Sequence, residues 1–120
     1  MAEITPIELT SHDRFVLATL QCEKLDEPHA LDMQQKTHAA VDQSPDLALV
    51  LDMSHVQLVA SLSLGALVTL LQCMKLRKQR FILVGLQPDV RQMFAVCRLG
   101  RLFEIYDTIE TARCRIQQES

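Results

Sequence analysis

Residues 47–77 read LALVLDMSHVQLVASLSLGALVTLLQCMKLR, and this stretch decides the fold. It opens on an apolar run, Leu47-Ala48-Leu49-Val50-Leu51, closed by Asp52. A run this short, apolar at every position, predicts a strand covered on both faces, at the centre of a sheet packed against helices. A helix follows. Leu64, Leu67, Val68, Leu71 and Met74 recur at i, i+3, i+4, i+7 and i+10 and define one apolar stripe. Lys75, Arg77 and Lys78 close it, where positive charge complements the helix dipole. Ser61 and Ser63 stand at its start, and either hydroxyl can cap the free N–H groups of a first turn.

Working outward, Phe81-Ile82-Leu83-Val84-Gly85-Leu86 is a second apolar run and a second buried strand. Strand, helix and strand in this order predict a parallel pair joined by a right-handed crossover. Gln87-Pro88-Asp89 opens a further helix with Val90, Met93, Phe94 and Cys97 on its inner face and Gly100 as its stop. Phe103-Glu104-Ile105-Tyr106 is a short extended segment. Asp107 and Thr108 can cap a last helix that turns Ile109, Ala112 and Ile116 inward. On the N-terminal side, residues 4–20 form a hairpin: Ile7 and Leu9 alternate with polar neighbours, Ser11-His12-Asp13 turns, and Phe15–Leu20 returns. Asp26 caps the first helix, with Pro28 in its first turn and Ala30, Met33, Thr37, Ala40 and Val41 on its inner face. That helix stops before Ser44-Pro45.

The expected architecture is a single α/β domain over residues 1–120, with 1–5 and 117–120 frayed. It has a mixed sheet of four to five strands and about four helices on at least one face. The 120 residues are 48% hydrophobic, enough for one core, and the net charge is −3. With a pI near 5.7, nucleic acid is not an expected partner. The densest basic run, Lys75, Arg77, Lys78 and Arg80, reads as a solvated helix end. No signal segment or membrane span is visible, which predicts a cytoplasmic chain with no membrane insertion. Cys22, Cys73, Cys97 and Cys114 form no CxxC pair and read as small apolar residues. His12, His29, His38 and His55 lack metal-ligand spacing and read as surface residues. No metal or cofactor is expected. The glycines, Gly65, Gly85 and Gly100, form no phosphate loop. Asp52 has no second acid or nucleophile placed to work with it, so an enzyme is the least expected class.

The segment VLDMSHVQLVASLSLGALVTLLQ resembles the core motif of STAS domains, the family of bacterial anti-sigma factor antagonists. In that family a buried strand ends in Asp, and a short connection leads to Asp-Ser-Ser/Thr-Gly-Leu-Gly-Ala-Leu. Here Leu51-Asp52 matches the strand end, Ser61 falls on the phosphorylated serine, and Leu64-Gly65-Ala66-Leu67 matches the helix start. Leu25-Asp26 matches the pair before the first helix. Leu99, Leu102, Phe103, Ile105, Tyr106, Asp107 and Ala112 match the closing pattern, so the resemblance runs over roughly residues 5–116. The chain departs from the pattern at Ala60 for Asp, Leu62 for Ser or Thr, Ser63 for Gly, and Glu23 for a glycine.

The resemblance implies a phospho-regulated protein-binding module of a partner-switching system acting on transcription. Its site is Ser61, with Ser63 as second choice for the phosphate, and Asp26, Ser61, Leu62, Ser63 and Leu64 contacting the partner. The implied partners are a GHKL-type serine kinase that is itself the anti-sigma factor, bound when Ser61 is unphosphorylated, and a PP2C-type phosphatase. An alternative is a constitutive STAS subunit of a larger assembly, a stressosome-like scaffold or a lipid-transport complex, with no switch. A small-ligand sensor using the same loop is a third class, which no residue here supports.

Overall fold

The runs at 48–51 and 81–84 are apolar at every position because each divides its side chains between two cores. In the computed structural model, which describes residues 6–118, the hairpin is β1 (Glu8–Ser11) and β2 (Phe15–Thr19). After it come β3 (Lys24–Leu25), α1 (Glu27–Gln43), β4 (Ala48–Asp52) and β5 (Leu58–Val59). The chain ends in α2 (Ser61–Leu76), β6 (Phe81–Val84), α3 (Pro88–Val96), β7 (Glu104–Tyr106) and α4 (Ile109–Gln118). The main sheet has five strands in the order β1-β2-β4-β6-β7. Only the β1–β2 pair is antiparallel, so the sheet is mixed.

Successive side chains of a strand point to opposite faces. Val16, Ala18, Leu49, Leu51, Phe81 and Leu83 join the larger core, shared with α1, α2 and α3. Phe15, Ala48, Val50, Ile82 and Val84 join a smaller core closed by Ala112 and Ile116 of α4. Both faces of the sheet are thus covered, three helices on one and one on the other.

Several local expectations are corrected. The buried face of α2 is Ser63, Leu67, Leu70, Leu71 and Met74, while Leu64 and Val68 are only half-buried. The face is turned because Leu occurs at so many positions that two overlapping stripes fit the sequence. The third helix ends at Val96 and is stopped by Arg98, not Gly100. Arg98 takes a positive φ of 60°, and the N–H of Leu99 bonds the carbonyl of Phe94 at 2.8 Å. Cys97 is consequently exposed rather than inward, and Cys114 is exposed too, so the reading of the cysteines as apolar residues fits buried Cys22 and half-buried Cys73 but not these two. Burial pushes the Cys22 thiol pKa up. Gln117 and Gln118 belong to α4, and the other positions expected to fray, 1–5, 119 and 120, lie outside the described residues. Thr108 caps α4, its Oγ1 accepting from the N–H of Thr111 at 3.1 Å, whereas Asp107 pairs with Arg91 at 2.7 Å.

Two residues of the basic run are structural. Arg77 donates Nη2 to the carbonyl of Val41 at 3.1 Å and pairs Nη1 with Asp42 at 2.7 Å, so it closes the end of α1 rather than only its own helix. Arg80 forks onto Glu104, whose other donor is the Tyr106 hydroxyl at 2.6 Å. The guanidinium holds the Glu104 carboxyl below its ordinary range, with the Tyr106 hydrogen bond adding to it.

Gln79 is buried and donates Nε2 to the carbonyls of Ser44 at 3.1 Å and Leu47 at 3.0 Å. Replacing it strands both carbonyls. Gln79→Ala is expected to cost about 2–3 kcal/mol, read as a lower urea midpoint at unchanged slope. A loss under about 0.5 kcal/mol would show that the side chain does not hold this corner.

Candidate functional site

Sequence alone gave no sign of β3 and β5. These two-residue strands form a separate parallel ribbon, Lys24 opposite Leu58 and Leu25 opposite Val59. The N–H of Gln57 bonds the carbonyl of Glu23 at 2.7 Å, and the N–H of Ala60 bonds the carbonyl of Leu25 at 3.0 Å. Leu25 and Val59 are buried, which fixes the ribbon onto the large core. Each strand feeds directly into a helix, so the ribbon sets the N-termini of α1 and α2 side by side.

The two helix starts differ in chemistry. At α1, Asp26 is the cap as expected, its Oδ1 accepting from the N–H of His29 at 3.2 Å and from His29 Nδ1 at 2.6 Å. His29 is therefore not a surface residue, its side chain being only 14% exposed. The hydrogen bond from the His29 side chain is the main cause lowering the Asp26 pKa, and the backbone N–H adds to it. At α2, the cap position is Ala60, with extended backbone and no side chain to accept. Neither serine caps the helix, contrary to expectation. Ser61 is already the first helical residue, and Ser63 lies inside the first turn with its N–H bonded to the carbonyl of Ala60 at 2.9 Å. The first-turn N–H groups of α2 thus have no side-chain acceptor.

The expected site residues separate by depth. Ser61 is exposed, Leu62 is 76% exposed, and Leu64 is half-buried against the core. Ser63 is 1% exposed, and its Oγ has no hydrogen-bond partner. The helical period explains this: Ser63 shares a face with Leu67, Leu70 and Met74, so it turns into the core while Leu62 turns out. A shallow cleft of about 350 Å³ runs between the helices beside Ser63, lined by Glu27, Ala30, Leu31 and Gln34 of α1 and by Leu62 and Ala66 of α2. Leu31 and Leu58, also near this end, are 54% and 51% exposed. Asp26, Ser61 and Leu62 are brought together at one surface, while Ser63 lies beneath it.

Asp52 ends β4 and accepts from the N–H of Ser54 at 2.9 Å, the role of a turn former. Gly85, at φ +72°, packs against that turn, where an added Cβ would lie 3.1 Å from Asp52 Oδ1.

Comparison with known proteins gives a match between residues 6–112 and the model of the STAS domain. Three solved structures share the fold. An anti-sigma factor antagonist from Mycobacterium paratuberculosis is 24% identical, with a TM-score of 0.75 and 92% of each chain covered. The anti-sigma factor antagonist SpoIIAA in its unphosphorylated form is 21% identical, with a TM-score of 0.76, covering 93% of this chain and 96% of the other. The phosphorylated form of the Bacillus protein SpoIIAA is 20% identical, with a TM-score of 0.69, covering 92% of this chain and 98% of the other.

The contrast between the helix starts yields two expectations. Ala60→Asp supplies the missing acceptor and should raise stability by about 1 kcal/mol in urea unfolding. No gain would mean that the α2 tip is already satisfied. Asp26 has its carboxyl pKa depressed in the folded state, so its stabilisation is present above the ordinary carboxylate range and is lost as pH falls through the lower folded value. Asp26→Asn should therefore be less stable than the parent at neutral pH, with the difference closing in acid. A gap independent of pH would contradict the assignment.

Proposed function

The chain belongs to the STAS-domain family, and on that premise we propose that it is the protein-binding module of a partner-switching system. In this reading it acts as an anti-sigma factor antagonist. Its partner is a GHKL-type serine kinase that is also the anti-sigma factor, bound while Ser61 is unmodified. A PP2C-type phosphatase reverses the modification. The observation that carries the reading is the exposed Ser61 on an uncapped helix N-terminus beside exposed Leu62.

A phosphoserine carries nearly two negative charges. At Ser61 it meets first-turn N–H groups and the positive end of the α2 dipole, with no carboxylate at position 60 to repel it. The domain itself therefore tolerates the modification. A partner packed over Leu62 and its apolar neighbours does not, because the phosphate would be buried there without a counter-charge. Such a charge costs several kcal/mol, roughly a hundredfold or more in affinity. Phosphate on Ser63 would act on the wrong object, since its buried Oγ lies under the first turn and a dianion there would break the fold. The neighbours solved under 25% identity speak for the fold alone, so the serine assignment rests on the position of Ser61 in this chain. The second reading is a permanent STAS subunit without a switch. It is favoured by Leu62, an apolar residue 76% exposed, which suits a fixed interface as well as a switched one.

Ser61→Asp should abolish binding to the kinase partner while shifting unfolding free energy by less than about 0.5 kcal/mol. Ser61→Ala should bind without regulation, and Ser63→Asp should lose several kcal/mol of stability. Calorimetric binding and urea unfolding read both quantities. Equal binding by Ser61→Asp and Ser61→Ala would establish the permanent subunit instead.

A further inference from the structure

Strands β4, β6 and β7 are parallel and adjacent, so α2 and α3, which connect them, both finish at the edge of the sheet where β6 and β7 begin. The rings of Phe81 and Phe103 meet across that edge at 6.1 Å, and Phe94 joins Phe103 at 5.6 Å. The loops 77–80 and 97–103 therefore lie side by side, at the end of the molecule opposite Ser61.

This end carries large apolar side chains in the open. Leu76 is 86% exposed, Val96 74% and Leu102 48%. Four exposed cations alternate with them: Lys75, Lys78, Arg98 and Arg101. Among the described residues, none of the four side chains has an ion-pair partner. Of the nearby acids, Asp42 and Glu104 are engaged by Arg77 and Arg80, while Asp13 and Asp46 line a hollow with Lys78 and leave the four cations in excess. The backbone gives an independent sign. Lys78 and Arg98 both hold positive φ, at 59° and 60°. Gly or Asn would sit there with least strain, yet the chain places a cation at each. Arg98 and Arg101 also line a hollow with Ala95 and Gly100.

We propose that this end docks the domain on an anionic lipid surface. Leu76, Val96 and Leu102 enter the headgroup layer, and the four cations meet lipid phosphates. Apolar side chains interleaved with cations are the pattern of a peripheral membrane face. Three apolar groups set apart at the end of α2, the end of α3 and the loop before β7 suit a fluid surface better than an acidic peptide, which needs one shaped groove. The domain lies on the surface without crossing it. No helix among the described residues is long and apolar enough to span a bilayer. The 16 residues of α2 separate the two ends by about 24 Å, so a docked domain still presents Ser61 to a partner in solution.

The test is flotation of the full chain with vesicles of phosphatidylcholine alone or with about one-third phosphatidylglycerol. Binding should be at least tenfold tighter to the anionic vesicles and should weaken steeply as salt rises. A variant carrying Lys75→Gln, Lys78→Asn, Arg98→Asn and Arg101→Gln should lose that preference. Leu76→Ser with Val96→Ser should lose binding to a similar degree while keeping its melting temperature. All these side chains are exposed, so both variants fold, and circular dichroism checks this. Equal partition to neutral and anionic vesicles, no partition at millimolar lipid, or binding to polyglutamate with none to vesicles would each overturn the proposal. Because Ser61 is untouched, kinase binding reports on the proposed function separately.

Discussion

The site depends on four residues of backbone pairing. The β3–β5 ribbon is too short to stand alone, since a two-stranded element of this size has little stability in water. It exists because Leu25 and Val59 are buried in the large core together with Met53 and Val56. The carbonyl of Leu25 then receives the N–H of Ala60, and the start of α2 is fixed against the start of α1. A change that loosened this packing would move the start of α2 without touching any of the exposed residues there.

Once two helix starts are placed together, their chemistry has to differ for one of them to act as a switch. The α1 start is filled from within, by the carboxylate of Asp26 on the backbone and ring of His29. The α2 start has only Ala60 and is open to an incoming anion. The period of the helix then sorts the three residues that follow, with Ser61 and Leu62 outward and Ser63 inward. On the proposed reading, a phosphate on Ser61 alters what can dock and leaves the fold unaffected. Lys75, Lys78, Arg98 and Arg101 sit at the far end of α2, away from the serine, whereas Lys24 of β3 lies at the serine's end.

Much of this could be read before the structure. The double-faced strands β4 and β6 announced themselves, because burial on both faces leaves no polar position. Asp26 and Pro28 marked the start of α1 by chemistry that has few other uses. What escaped had physical causes. A ribbon of two residues per strand has no period to detect. The α2 segment holds leucines at 62, 64, 67, 70, 71 and 76, so several faces compete and tertiary packing decides. Ser63 is buried by that choice against its own polarity. The stop of α3 fell on Arg98, a residue that rarely accepts positive φ, while the glycine two positions on drew the expectation. His29 carries a signal of its own, a histidine three residues after a capping aspartate, where the side chains meet.

The central claim is that Ser61 is the residue through which this domain is switched. Intact-protein mass spectrometry with site mapping, on protein recovered from its native host, tests it most directly. The account predicts a fraction of molecules carrying one phosphate, on Ser61, that varies with growth conditions. Unmodified protein under every condition, or a phosphate mapped to Ser63, would contradict it.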